Sequence, residues 1–295
     1  MIESSKNNEI NDKKGAFCAL TSSMAYGLNN PLAALGVSNG IPSIYSAAFR
    51  AMIMLLVSGL IITAKNKSFH VPKKARLSVI IMTITTTLIS LCYVGSINFI
   101  SVSLAAIIFF TFPIQILIYS IVFKKEKLEF IDISIFISIF FGLVFVITPD
   151  LSGINYLGLF LALISSVSAT FLYFAGSVAA KNCNPIIIGF WIHLFSFPAI
   201  SIVSYIIFKT IDIPSVKLLF PILIMALCYV MAYYFQMLSL KYTSPLKSSL
   251  FFNAEPVMTG IAAAIILNEK LMPVQYLGAF LVFSALVING LRKKI

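Results

Sequence analysis

A glutamate interrupts an apolar stretch in the sequence FFNAEPVMTG, residues 251–260. Glu255 lies about nine residues into a predicted membrane span, so at ~1.5 Å per residue it lies roughly 14 Å deep. A charge at that depth costs at least about 2.5–3.5 kcal/mol, which makes it a candidate functional group. It could balance a positive charge on a solute, carry a proton through a cycle, or form a structural pair across helices. The sequence leaves these three roles open, and nearby Asn253 is a further candidate for solute binding.

Two basic side chains also lie inside predicted spans, at positions 143 residues apart. Arg50 and His193 each lie about seven or eight residues into their helices, in roughly the second or third turn. We expect Arg50 to lie towards the outer membrane face and His193 towards the inner one. Either side chain could pair with an acid, bind an anionic group or take part in gating. The alternative is that they bond to loops and fix helix ends.

Polar side chains recur at the spacing of one helix face in four other spans. The face in the third span carries Thr86, Ser90 and Tyr93, and the matching face in the eighth carries Tyr229, Tyr233 and Gln236. The first and sixth spans form a second matching pair. We predict that these faces line one cavity and that its substrate-binding residues include Tyr26, Asn30, Tyr93, Tyr173, Tyr233 and Gln236. Ser and Thr at such positions also serve close helix packing.

A proline recurs in the fourth and ninth spans. Pro113 and Pro256 lack a backbone N–H, so the carbonyls of Phe109 and Phe252 lose their helical partners. In lipid those carbonyls need water or a neighbouring donor, which is tolerable mainly beside a cavity. We therefore predict that both prolines border the pathway and act in coupling or gating. A purely structural bend is the alternative.

The elements that must position these residues are membrane helices. The chain is 60% hydrophobic and only 11% charged, whereas soluble domains carry about 25% charged residues. Apolar runs of the length needed to cross a bilayer recur ten times, and in lipid they must be helical. We predict an all-α integral membrane protein with spans at residues 15–36, 42–64, 76–97, 101–123, 128–148, 155–180, 186–208, 217–240, 246–267 and 273–291.

The formal charge of +11 indicates topology rather than a nucleic-acid partner. With both termini in the cytoplasm, the outer connectors carry only Lys209, Lys217 and Lys270, while the inner segments carry nearly all the other basic residues. This asymmetry follows the positive-inside rule. We predict a multi-pass protein of the cytoplasmic (inner) membrane, with both termini cytoplasmic.

An internal repeat with an offset of 143 residues organises the chain. The offset superposes Gly15 on Gly158, Pro113 on Pro256, and the EKL at 126–128 on the EKL at 269–271. The predicted units are a disordered cytoplasmic tail (1–14), a five-helix repeat (15–148), a linker (149–154), a second five-helix repeat (155–291) and a basic cytoplasmic end (292–295). An odd number of spans inverts the second repeat, which is a signature of alternating-access carriers.

These motifs resemble the drug/metabolite transporter superfamily, specifically its ten-helix EamA type. The resemblance rests on ALTSSMAYGLNNP in the first span, FRAM around Arg50, EPV at 255–257 and the EKL of each half. The chain has Tyr26-Gly27 where members often have Trp-Gly. The resemblance implies a central cavity reached by Glu255, helix-end structural or gating positions at Glu126 and Glu269, and solutes such as amino acids, choline, other small metabolites or drugs.

We therefore expect a secondary-active transporter of a small polar metabolite, such as an amino acid or a quaternary ammonium compound. A channel-like or sensor protein, or a flippase for a lipid-linked substrate, is the alternative. The sequence has no nucleotide loop, metal spacing or paired acids, so we expect neither an enzyme nor a cofactor. The expected partners are the small-molecule substrate, membrane lipid and a coupling proton or exchange substrate, with no nucleic acid. The protein is expected to be a monomer or homodimer.

Overall fold

The fold is entirely helical within the part of the chain that the structure, a computed structural model, describes: residues 2–124, 129–209 and 216–292. Its helices are α1 (Ile2–Ser38), α2 (Ser43–Ala64), α3 (Lys73–Ser96), α4 (Val102–Phe109), α5 (Phe112–Val122), α6 (Phe130–Ile147), α7 (Tyr156–Asn182), α8 (Pro185–Phe208), α9 (Val216–Tyr242), α10 (Pro245–Phe252), α11 (Ala254–Ile266) and α12 (Pro273–Leu291). Since α4 with α5 and α10 with α11 each form one broken span, these twelve segments make ten rods.

Nine of these rods are long and apolar enough to cross a membrane. The tenth, α1, has 37 residues and so has ample length. It is less apolar than the others because its membrane-spanning part carries the polar stripe of Ser, Tyr and Asn residues. The ten-helix prediction is confirmed, with α1 the most polar of the ten.

The helix boundaries repeat with the offset found in the sequence. At that offset α4 (Val102–Phe109) superposes on α10 (Pro245–Phe252), and α3, α6, α9 and α12 begin at matching positions. The N-caps match as well, because Ser101 Oγ accepts a hydrogen bond from Leu104 N and Ser244 Oγ accepts one from Lys247 N, both at 3.2 Å. A serine hydroxyl satisfies one of the free amides at a helix N-terminus, so the same local chemistry starts α4 and α10.

The two repeats interleave rather than form separate bundles. α1 packs along α9 and α3 packs along α7, which are equivalent pairs under the repeat, while α2 packs on α8 and α6 on α12. The last pair crosses at glycines, since a Cβ added to Gly278 would lie 2.6 Å from the carbonyl oxygen of Gly142. Every strong helix pairing thus joins one repeat to the other, and residues on these faces belong to one shared core.

The N-terminal region differs from the prediction. α1 begins at Ile2, so the segment 1–14, predicted to be a disordered tail, is helical from residue 2 onward. Asp12 accepts a hydrogen bond from Thr243 Oγ1 at 2.8 Å and forms an ion pair with Lys247. These contacts hold α1 at residue 12 against the α9–α10 connection, three residues before the predicted span begins.

Candidate functional site

The two broken rods meet at the centre of the molecule. Phe112, in the first turn of α5, and Phe252, at the end of α10, have ring centroids 6.1 Å apart. The breaks fall at equivalent positions, because the C-cap of α4 is Phe110 and the C-cap of α10 is Asn253. Pro113 and Pro256 follow these breaks directly and are buried. Both prolines therefore border one region, where the two discontinuous rods approach each other.

Neighbouring hydroxyls reach the carbonyls at these breaks. Ser23 Oγ of α1 lies 3.3 Å from the carbonyl oxygen of Phe251 and 3.4 Å from that of Phe252, the one that Pro256 leaves without a helical donor. In the other half Thr170 Oγ1 of α7 lies 3.4 Å from the carbonyl oxygen of Phe112, in the first turn after the break. Both hydroxyls therefore lie beside the breaks, although each makes its shortest hydrogen bond elsewhere, Ser23 to the carbonyl oxygen of Ala19 at 2.8 Å and Thr170 to Gln115 Oε1 at 3.0 Å.

Aromatic rings fill the space between the breaks. Phe252 makes edge contacts with Tyr26 at 5.5 Å and Tyr173 at 6.0 Å, and Phe109 makes one with Tyr93 at 5.6 Å between ring centroids. These rings and the two phenylalanines at the breaks form what we call the central aromatic cluster: Tyr26, Tyr93, Phe109, Phe112, Tyr173 and Phe252. Three of its members are predicted site residues, and α1, α3, α4, α5, α7 and α10 each contribute one ring.

Glu255 lies beside this cluster, in the first turn of α11. Its carboxylate is within electrostatic range of Arg50 and of the hydroxyls of Tyr26, Tyr93 and Tyr173. The free amides at a helix N-terminus carry partial positive charge and stabilise an acid there. The break before α11 creates such an N-terminus inside the span, and this explains how the chain tolerates Glu255 at this depth. The residue at the equivalent position of the first repeat is Phe112, so the site carries an acid on one side only.

α11 is held tightly against α1 at this level. A Cβ added to Gly27 would lie 2.6 Å from Cβ of Met258, one turn after Glu255. Contact this close requires glycine, since real Cβ atoms do not approach other atoms to under 3.0 Å. Tyr26 therefore places its ring in the central aromatic cluster. Gly27, the next residue, lets α11, which carries Glu255, pack closely against α1.

Arg50 and His193 converge on Tyr229 of α9. The guanidinium carbon of Arg50 lies 5.2 Å from the centroid of the Tyr229 ring, and His193 Nε2 lies 3.0 Å from the Tyr229 hydroxyl. His193 is fully buried, and its Nδ1 lies 2.8 Å from the carbonyl oxygen of Gly189. We expected Arg50 and His193 towards opposite membrane faces. The structure instead brings both to one tyrosine side chain, because α2, α8 and α9 pack together here.

Gln236 and Tyr233 extend the site along α9. Tyr26 Oη donates to Gln236 Oε1 at 3.3 Å, and the side chains of Gln236 and Tyr173 approach each other. Tyr233 packs edge-on against His193 at 5.5 Å between ring centroids. The Tyr233 hydroxyl is buried and has no hydrogen-bond partner among the described residues. A buried hydroxyl of this kind is costly unless it finds a partner, so it is available to a polar solute or water.

Two predicted asparagines have other positions. Asn30 is exposed on the outside of α1, while its neighbour Asn29 is buried and its amide atoms contact no described hydrogen-bond partner. At about 100° per residue, Asn29 and Asn30 lie on opposite sides of Tyr26 around α1, and the side that carries Asn29 faces the core. Asn253 is buried, and its Nδ2 donates to the carbonyl oxygens of Ser249 and Leu250 at 3.1 Å each. The side-chain amide of Asn253 thus caps the C-terminus of α10 by bonding to two of its last carbonyls.

Some polar groups of the site were missed by the sequence reasoning. Gln115 of α5 donates from Nε2 to Ser166 Oγ at 2.9 Å and accepts from Thr170 Oγ1 at 3.0 Å. Tyr229 was placed on the polar face but not selected as a site residue. A glutamine two residues after Pro113 inside an apolar span was the available signal for Gln115.

Glu126 lies outside the described residues, and Glu269 is exposed after the end of α11.

A family model described as the EamA-like transporter family matches residues 13–148 and 156–291 of the chain. A comparison with curated proteins gave no match. Among solved structures, the chain is similar to one titled only "Crystal structure of protein", with a TM-score of 0.77 and 15% sequence identity. That alignment covers 93% of this chain and 96% of the other. At this identity the likeness concerns the fold alone.

Proposed function

The chain belongs to the EamA-like transporter family, and from this premise we propose that it is a secondary-active, alternating-access transporter of a small polar metabolite. The observation that carries the proposal is the meeting of two discontinuous rods at matching breaks, with Glu255 in the first turn of α11 and aromatic rings around it. Discontinuous helices at the interface of inverted repeats are where such carriers bind their solutes.

The groups around the cluster favour a solute with a positively charged or zwitterionic end. Glu255 supplies a negative charge, tyrosine and phenylalanine faces attract ammonium groups, and Arg50 is near enough to hold an anionic group. Gln236 and the Tyr233 hydroxyl offer neutral hydrogen-bonding groups. Glu255 either meets the solute's positive charge or takes up the proton that couples transport. Pro113 and Pro256 provide bends about which the half-helices move.

The interleaved packing supports alternating access rather than a fixed pore. Each strong pairing, α1 with α9, α3 with α7, α2 with α8 and α6 with α12, joins the two repeats. Rocking one repeat on the other would therefore slide these interfaces together and open the cluster first to one side and then to the other. The placement of both termini in the cytoplasm follows from the basic inner connectors and belongs to the same proposal.

A thermal-shift screen of the purified full-length protein tests the role of Glu255. Choline, lysine, leucine and glutamate would serve as probes, with the wild type, Glu255→Gln and a matched control, Glu269→Gln, which changes an exposed acid. A ligand at a hundred times its Kd adds about 2.7 kcal/mol of stability. We expect choline or lysine to stabilise the wild type and Glu269→Gln, and not Glu255→Gln. Equal stabilisation of all three proteins by one probe would remove Glu255 from solute recognition.

A further inference from the structure

A second cleft lies on the outside of the bundle, away from the central aromatic cluster. It is a cleft of about 620 Å³ between the first half of α3, the start of α8 and the connector that precedes α3. We call it the α3–α8 cleft, and it is lined by Phe69, His70, Val71, Arg76, Val79, Ile80, Thr83, Ile84, Trp191 and Phe195. A volume of this size falls within the range of small-molecule sites, about 300–1,000 Å³.

Specific side-chain contacts hold the walls of the cleft in place. Trp191 Nε1 donates to the carbonyl oxygen of Phe69 at 2.8 Å, which ties the connector to α8. The Phe69 ring packs at 4.7 Å from that of Phe190, and Trp191 stacks on Phe195 at 6.3 Å between centroids. Arg76 Nε donates to the carbonyl oxygen of Val71 at 3.2 Å and so holds the other end of the connector. The connector is thereby fixed as the end wall of the cleft.

Polarity changes along the cleft from one end to the other. Arg76 and His70 lie at the connector end, and Ile84 and Phe195 lie at the other. From Arg76 to Ile84 the lining runs about 12 Å along α3 at ~1.5 Å per residue. One leaflet of the hydrocarbon core is roughly 15 Å thick, half of the ~30 Å bilayer core. A basic end followed by about one leaflet's depth of apolar wall matches a phospholipid, with its headgroup at Arg76 and an acyl chain along Ile80 and Ile84.

The charge at the connector end favours an anionic group over a neutral one. Lys73, Lys74 and Arg76 lie in the first turn of α3, where the helix itself presents partial positive charge, and no acid lies in that turn. The N-cap, Pro72, makes no side-chain hydrogen bond to the first amides. Arg76 forms no ion pair with the residues that the structure describes. A phosphate at this end would receive both the free amides and the cationic side chains.

We propose that the α3–α8 cleft binds an anionic phospholipid of the bilayer, held at its headgroup by Arg76 and the first turn of α3. Trp191 contributes one apolar wall and, through its bond to Phe69, positions the connector. This site is separate from the Glu255 site and does not depend on which solute the protein carries. Because α3 and α8 also carry Tyr93 and His193, a lipid in the cleft would contact two helices that build the central site.

Native mass spectrometry of the full-length protein in detergent tests the proposal. Phosphatidylglycerol and phosphatidylcholine with identical acyl chains would be the probes. The variants are Arg76→Gln, Ile84→Trp, which fills the apolar end at an exposed position, and Lys67→Gln, a control on the same connector outside the cleft. We expect the wild type to prefer phosphatidylglycerol. Arg76→Gln should lower that affinity about fivefold, from the typical contribution of one cation near anionic lipid. Lys67→Gln should change it less than twofold, roughly what screened charge outside the cleft contributes.

Each outcome decides for or against the site. Ile84→Trp should weaken both lipids, and it tests the cleft even if Arg76→Gln fails to fold. Equal binding of the two lipids by the wild type would show that the site does not recognise an anionic headgroup, which contradicts the proposal. Equal losses in Arg76→Gln and Lys67→Gln would show that only diffuse surface charge acts. Unchanged lipid binding in Ile84→Trp would exclude the acyl-chain path. Displacement of phosphatidylglycerol by inorganic phosphate would indicate a site for free anions instead.

Discussion

Tyr229 is predicted to stabilise the fold through two separable interactions, one through its hydroxyl and one through its ring. Tyr229→Phe removes the hydroxyl that lies 3.0 Å from His193 Nε2 and leaves the ring that faces Arg50. Hydrogen bonds between membrane helices contribute about 0.6 kcal/mol on average and up to about 1.7. Because His193 is fully buried and water has no access to replace the bond, we expect a loss near the upper value.

Tyr229→Leu removes the ring as well. The ring faces the guanidinium of Arg50 at 5.2 Å and makes edge contacts with Tyr26 at 5.8 Å and His193 at 5.6 Å. A desolvated cation–π contact contributes up to about 2 kcal/mol and each aromatic pair about 0.5–1.5. Since these terms overlap, we expect a total loss of about 3–4 kcal/mol, roughly twice that of Tyr229→Phe.

Reversible unfolding in mixed detergent micelles measures both values. The control is Tyr234→Phe on the same helix, whose hydroxyl has no hydrogen bond among the described residues. A double-mutant cycle with His193→Leu isolates the hydroxyl contribution. If Tyr229→Phe lowers stability no more than Tyr234→Phe does, the bond to His193 is not made in the folded protein. If Tyr229→Leu equals Tyr229→Phe, the contact with Arg50 contributes nothing and the convergence of the two basic residues has no energetic basis.

Two further substitutions test the packing between the repeats. Ser23→Ala removes a hydroxyl that bonds to the carbonyl oxygen of Ala19 in its own helix at 2.8 Å and also lies 3.3 and 3.4 Å from two carbonyls at the end of α10. It should lower the free energy of unfolding by about 0.6 kcal/mol more than Thr21→Ala, whose hydroxyl bonds only within its own exposed turn. Equal effects would show that the contact with α10 contributes nothing. Gly278→Ala places a Cβ 2.6 Å from Gly142 O and should lower the melting temperature clearly, since overpacking costs about 1–3 kcal/mol. Gly260→Ala, with 3.8 Å to its nearest neighbour, should not, and equal melting temperatures would show that α6 and α12 separate freely.

The repeat is what the sequence predicts best. An offset that superposes prolines and glycines also superposes helix boundaries, because the same local signals start and end the helices in both halves. Ser101 and Ser244 cap α4 and α10 in the same way, and Pro113 and Pro256 follow matching breaks. Apolar length determined the ten spans, since the membrane leaves the backbone no alternative to helix.

The contacts inside the site depend on helix rotation, which the sequence determines only loosely. Asn29 and Asn30 are consecutive polar residues of one span, and only the packing of α1 against its neighbours decides that Asn29 is buried and Asn30 exposed. The convergence of Arg50 and His193 on Tyr229 depends on three helices from both repeats. Asn253 closes the end of α10 with its amide nitrogen, a task that no pattern in the sequence indicates.

Solute counterflow in proteoliposomes tests the central claim most directly. Vesicles containing the wild type or Glu255→Gln would be preloaded with unlabelled choline, lysine, leucine or glutamate and then given a trace of the same labelled solute outside. A carrier that alternates between two sides produces a transient accumulation of label above equilibrium, and a channel cannot. We expect this overshoot in the wild type for a solute that stabilises it, and its loss or reduction in Glu255→Gln. Equilibration of that solute without overshoot, alike in both proteins, would contradict both alternating access and the role of Glu255.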